Sequence, residues 1–242
     1  MKPQRPSILQ LKDGLRLVGL SARLIGGRRF WIAPLLTLLW PAFQAFRLLI
    51  GWQQTTFAPE ASQNVLIGTP MIVLAIGLGV RVIANELDRR TLEIAYTVPG
   101  GAHRVWIAKL AAATGLLLAS EAMLAAATFA FFTSVPLGAL YGAFQAALFY
   151  LVASMGLAVV TRSEITGALA ASVLLVLNGL LTGFGGNQLR VSPTFNALAV
   201  SRMSPEDIWA HTIQNRIGMV LAIAAVVALS FARAERREKL LS

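Results

Sequence analysis

The sequence predicts an all-α integral membrane protein: six transmembrane helices, an N-terminal amphipathic interfacial helix and both termini in the cytoplasm. Three observations carry this. Of the 242 residues, 56% are hydrophobic and only 13% charged, where soluble domains hold about 25% charged residues. Six segments are long and apolar enough to cross hydrocarbon. A spanning helix needs about 20 such residues, because backbone groups must satisfy one another across a core about 30 Å thick. Finally, the cations fall on alternate connectors.

Residues Ile8 to Ile25 open the chain with helical periodicity. Leu11, Leu15, Val18, Ala22 and Ile25 share one face, and Lys12, Arg16, Gly19 and Arg23 the adjacent one, the pattern of a helix lying in the headgroup plane. Charges interrupt any uncharged stretch of signal-peptide type. Gly26 and Gly27 then permit a turn, and Arg28 and Arg29 anchor the first span.

The spans are predicted at Phe30 to Trp52, Asn64 to Ala84, Ile107 to Phe132, Val135 to Val160, Ile165 to Gly186 and Ile217 to Ala232. The last is short unless its helix begins earlier. Ser204, Pro205, Glu206 and Asp207 predict that it does: Ser caps, Pro fits the first helical position, and acids suit the first turn. The chain is read as one membrane domain, 1–242, comprising a cytosolic and interfacial part (1–29), the six-helix region (30–232) and a cytosolic tail (233–242).

Orientation follows from the 21 Lys and Arg residues: seven precede the first span, five lie between Arg81 and Lys109, one is Arg162 and four follow Ala232. Only Arg47, Arg190, Arg202 and Arg216 fall on the other side. The positive-inside rule then places both termini in the cytosol of a cell (inner or plasma) membrane. The net charge of +10 is thereby explained by topology, and no nucleic-acid partner is expected. Cysteine is absent, which excludes disulfides, thiolate metal sites and thiol nucleophiles. No metal site is expected, since His103 and His211 fall on opposite sides of the membrane.

Two connectors are long enough to act. The external one, Gly185 to Arg216, carries Ser192-Pro193 and Ser204-Pro205, read as two capped helix starts. The cytosolic one, Arg81 to Trp106, holds ELDRRTLEIAYTVPGG, residues 86–101. Asp88 there can cap a short helix with Leu92, Ala95, Tyr96 and Pro99 on one side and Arg89, Arg90 and Glu93 on another. Pro99, Gly100 and Gly101 stop it. An apolar stripe with a charged rim is the makeup of a protein contact, and equally of an ordinary positive-inside loop.

The run E-x-D-R-R-T-L-E-x5-P, followed by an aliphatic-rich start and Lys109, resembles the connector after the second span of ABC-2 type transporter permeases, the membrane subunits of one class of ATP-binding cassette transporter. The likeness covers nearly the whole chain, and includes S-P-T-F-N, residues 192–196, before the sixth span. The resemblance implies a coupling helix seated in a groove of a partner ATPase, with ATPase-coupling roles on Glu86, Asp88, Arg89, Arg90, Thr91, Leu92, Glu93 and Pro99. Arg90 stands where the family often has Gly. The haem-exporter membrane subunit of cytochrome c maturation has a similar acidic connector and is an alternative, as is a non-transporting scaffold recruiting a cytosolic partner.

The chain has no G-x-x-x-x-G-K-[ST] phosphate cradle. It is therefore read as no enzyme, with no cofactor of its own; ATP and Mg belong to a cytosolic ATPase dimer. The resemblance further implies export and a second copy or paralogous permease subunit. Other expected neighbours are membrane lipids. Apolar span faces are compatible with lipids, hydrophobic drugs, peptides or polysaccharide carriers as substrate.

Within the spans, Glu121 is the intramembrane polar candidate. A carboxyl at that depth is disfavoured by roughly 2.5 to 3.5 kcal/mol on insertion scales, so it should face a cavity or a partner helix. Asn178 and the glycines after it point to close packing or a helix break. Arg47 should snorkel outward, and the tryptophans near span ends should form an aromatic belt.

Overall fold

The structure, a computed structural model, describes residues 8–88, 101–184, 191–200 and 204–235. Among them there is no strand, and six helical stretches are long and apolar enough to cross a membrane. The chain thus has the character of a multi-pass membrane protein.

Helix α1 runs Ile8–Gly26. Of its described side chains, Ser21, Ala22 and Ile25 are buried while Arg16, Arg23, Leu20 and Leu24 are exposed. Its inner face packs mainly on the helix that follows the 89–100 connector. Gly27, at φ +76, makes the turn into the first span, a left-handed conformation that glycine adopts at little steric penalty.

The first span is α2 (Ile32–Thr37) followed by α3 (Leu39–Leu49). The interruption at Leu38 has a cause in Pro41, which has no N–H to give the Thr37 carbonyl. Leu38 N bonds Leu35 O at 3.1 Å, and Thr37 Oγ1 donates to the Pro34 O thereby left over, at 2.6 Å.

The second span starts earlier than hydropathy alone predicts. It comprises α4 (Pro59–Ala61), a π-helical turn (Ser62–Gly68) and α5 (Thr69–Asp88). The π turn brings Gln63 O within 2.5 Å of where a Cβ on Gly68 would stand, so the wider turn needs glycine there.

Three spans follow in short order: α6 (Gly101–Phe131), α7 (Leu137–Thr161) and α8 (Glu164–Phe184). The sixth is α9 (Pro205–Glu235). Its early start is as the sequence predicts, for Ser204 Oγ accepts from Asp207 N at 3.2 Å and donates to Asp207 Oδ2 at 2.8 Å.

Helices α5 and α7 form the centre. The share of buried positions is 72% along the second span and 67% along α7, against 11% along α8, so the outer helices are held by one face each. Close approach is built from small residues. A Cβ on Gly79 would collide with Leu151 O and Ser154 Oγ of α7, and one on Gly167 with the backbone of Ala158.

Candidate functional site

Helices α5 and α6 flank residues 89–100, and both continue past their apolar cores into the ends of the expected Arg81 to Trp106 connector. The stretch expected as a loop from Arg81 is helical to Asp88, and the chain is helical again from Gly101. Polar turns add no burden to a helix once it leaves hydrocarbon, so hydropathy understates its length.

Glu86, in the last turns of α5, is joined to α6. Its Oε1 accepts from Lys109 Nζ at 2.8 Å and its Oε2 from Trp106 Nε1 at 3.1 Å. The Lys109 side chain is 2% exposed and that of Glu86 12%. Both charges are therefore largely shielded, each the principal compensation for the other. Trp106 is fully buried, not part of an aromatic belt, because its ring packs on Phe231 of α9 (centroids 5.7 Å apart) and beside His103 (5.9 Å). Around this knot lie Val82, Ile83, Ala102, Val152, Met155 and Val159. The base of the connector is thereby clamped by α5, α6, α7 and α9 together.

Two further carboxylate contacts belong to the same end. His103 Nδ1 stands 2.7 Å from Glu235 Oε1, and Arg81 Nε 3.8 Å from Glu164 Oε2. Arg81 Nη1 also donates to Ile25 O at 3.1 Å, satisfying a carbonyl in the last turn of α1.

Of the residues assigned coupling roles, Glu86 is thus placed in the clamp and Asp88 is the last residue of α5. Arg89, Arg90, Thr91, Leu92, Glu93 and Pro99, and with them the expected short helix, lie outside the described residues. Lys109 enters the sequence reading only as part of a family pattern. The signal that could have assigned it was a cation nine residues inside α6, a depth at which a charge needs a partner.

At the opposite end the segment 191–200 is held by uncharged amides from several helices. Gln63 Nε2 donates to Phe195 O at 2.7 Å, Asn64 Nδ2 to Thr194 O at 3.2 Å, and Asn215 Nδ2 to Ser192 O at 2.8 Å. Asn178 on α8 donates to Thr194 Oγ1 at 2.8 Å and accepts from Ser192 Oγ at 3.0 Å. Asn196 Nδ2 returns to Glu60 O at 2.8 Å. Deeper, Arg216 Nη1 donates to Gln145 Oε1 at 3.0 Å, and its guanidinium lies 4.7 Å from the Tyr141 ring centroid.

This corrects one expectation: Ser192-Pro193 does not start a helix. The Ser192 hydroxyl is taken up by Asn178 and Thr194, and the only helical turn in 191–200 is a 3₁₀ turn, Ala197–Ala199, capped by Asn196 Oδ1 accepting from Leu198 N at 3.0 Å. Asn178 has a defined role in joining α8 to this segment. Hydropathy could have flagged the amides Gln63, Asn64, Gln145 and Asn215 as unusual in apolar spans, but not which carbonyls they reach.

Glu121 lies within α6, and its Oε1 is buried with no hydrogen-bond partner among the described residues. Arg47 Nη1 donates to Gln44 Oε1 at 3.0 Å. His103 contacts Phe231, while His211 lies 20 residues earlier on α9, about 30 Å away at 1.5 Å per residue. The described residues contain no cluster of His, Asp and Glu able to hold a metal. No protein-family model, curated protein or solved structure matches this chain.

Proposed function

We propose that this chain is the membrane permease subunit of an ATP-binding cassette exporter, worked by ATP that a separate cytosolic ATPase hydrolyses. One observation carries the reading: the two helices flanking the 89–100 connector are locked to each other by Glu86, Lys109 and Trp106 at the base of that connector. A load applied to the connector would then reach α5 and α6 as one body, and α7 and α9 through the Trp106 cluster. An ordinary topology-setting loop has no need of such a mount.

In the proposed mechanism the connector, with Asp88, Arg89, Arg90, Thr91, Leu92, Glu93 and Pro99, occupies a groove of the ATPase. Closure of the ATPase dimer presses on it, and Glu86 acts as a positioning residue. Two six-span units, whether copies or paralogues, then exchange between inward and outward states. The chain supplies no phosphate cradle, so all of the free energy enters through this contact. The proposed setting is the cell membrane with both termini in the cytosol.

The experiment is purification of the tagged chain with its associated ATPase from native membranes, followed by ATP turnover with and without the Leu92→Ala, Glu93→Ala pair. The proposal predicts an ATPase whose turnover depends on the permease and loses that dependence in the double variant, with insertion unchanged. Turnover insensitive to the substitutions would remove the connector from its assigned role; a purified chain without any ATPase would favour the scaffold.

A further inference from the structure

Between the first span and α5 lies a groove of about 770 Å³. One wall is formed by Ile32, Leu36 and Leu39, and the other by Val73, Leu74 and Leu78. Leu36, Leu39 and Val73 are more than half exposed, so the groove is an open apolar slot. Arg29 and Arg81 also line it. They share one end, because Arg81 donates to Ile25 O at 3.1 Å and Arg29 follows only four residues later. Trp40, Thr69 and Pro70 line the other end.

The dimensions select the occupant. From Thr69 to Arg81 the groove follows α5 for about 18 Å at 1.5 Å per residue. Half of the hydrocarbon core is about 15 Å. The slot is therefore one leaflet tall, with cations at the headgroup level and, below them, a mainly aliphatic wall whose polar members, Thr37, Trp40 and Thr69, are uncharged. Among the described residues no carboxylate pairs with Arg28 or Arg29. Of the two arginines that line the groove, Arg81 has Glu164 at 3.8 Å and Arg29 has no such partner, leaving a net positive excess.

We infer that this groove is a binding site for an anionic glycerophospholipid, with one acyl chain along α5 and the phosphate between Arg29 and Arg81. A second copy of this chain is the less favourable occupant. Two copies inserted in the same orientation and related by an axis along the membrane normal present identical depths to each other, which would set the arginines of one against those of the other. The lipid also has a structural effect, since it fills the space beside the α1 to α2 turn and α5, which Arg81 bridges at one end. None of this depends on an ATPase partner.

Gly77 provides the means to test it. It lines the groove, and a Cβ there would meet nothing within 4 Å, so Gly77→Leu occupies the slot without disturbing the core. Delipidated full-length protein in detergent is titrated with phosphatidylglycerol or with phosphatidylcholine of the same acyl chains, and bound lipid and oligomeric state are read together by native mass spectrometry. Wild type should retain one phosphatidylglycerol per chain in preference to phosphatidylcholine. Arg29→Gln should weaken that binding about fivefold, the effect of one basic residue at an anionic lipid, with phosphatidylcholine unchanged, and Gly77→Leu should abolish it. Equal retention of the two lipids by wild type, or phosphatidylglycerol binding unchanged in either variant, would overturn the inference. So would a Gly77→Leu variant that changed only the oligomeric state.

Discussion

The two ends of the bundle are joined by different chemistry. Where α5 and α6 flank the connector, the cross-links run through carboxylates: Glu86 with Lys109 and Arg81 with Glu164 as ion pairs, and Glu235 beside His103 Nδ1. At the far end they are neutral amides: Gln63, Asn64, Asn178 and Asn215 reach a single ten-residue segment, 191–200, and Asn196 of that segment reaches back to Glu60 O. A carboxylate and an ammonium shielded together tolerate little displacement, because separating them leaves each poorly solvated. Amide bonds to backbone carbonyls are individually weaker and can be exchanged one by one. In the proposed mechanism the ionic end transmits force, while the amide end holds segment 191–200 in place.

That contrast can be broken most sharply at Glu86. Glu86→Ala leaves the Lys109 ammonium almost fully buried and unpaired, and should lower stability by about 3 kcal/mol, read as a large fall in the thermal midpoint of the detergent-solubilised protein. Glu86→Gln combined with Lys109→Met should recover most of that loss, as removing both charges does elsewhere. A single variant within 1 kcal/mol of wild type would mean that the ends do not differ as described.

At the amide end the same measurement should respond less. Asn215→Ala removes the bond to Ser192 O, an interhelical amide bond worth about 1 kcal/mol in a membrane protein. Accessibility of position 200, where Val200 is 8% exposed, followed by a thiol introduced there in a chain that has none, should rise with it. The smallest effect belongs to the ionic end itself. The His103 and Glu235 side chains are 44% and 56% exposed, and an exposed pair contributes about 0 to 1 kcal/mol. Glu235→Gln, which leaves the His103 ring contacts in place, should therefore shift the thermal midpoint by no more than Asn215→Ala. A larger shift would mean that ionic linkage matters there irrespective of burial.

The six spans were legible in the sequence because hydrocarbon thickness and backbone satisfaction act on every spanning segment alike. Ser204 and Pro205 announced the early start of α9 through local capping chemistry, and Gly27 announced its turn. Less was readable where partners come from distant segments. Glu86 and Lys109 are 23 residues apart, and they meet only because α5 and α6 both extend beyond their apolar cores in matching register. Ser192 followed by Pro193 has the local signature of a helix start, and Asn178 on another helix redirects it. Trp106 lies near a span end as a belt residue would, and its burial comes from residues of α5, α7 and α9 gathered around it, Phe231 among them. Local rules settle elements; side chains that serve two elements need their geometry.

Because the chain has no cysteine, one measurement bears directly on the proposed coupling role: labelling of Leu92→Cys by a membrane-impermeant thiol reagent. If the connector meets a cytosolic ATPase, the thiol is unreactive in intact cells, reacts in inside-out vesicles, and becomes protected when the ATPase is bound. Labelling from the outside of intact cells would contradict the account.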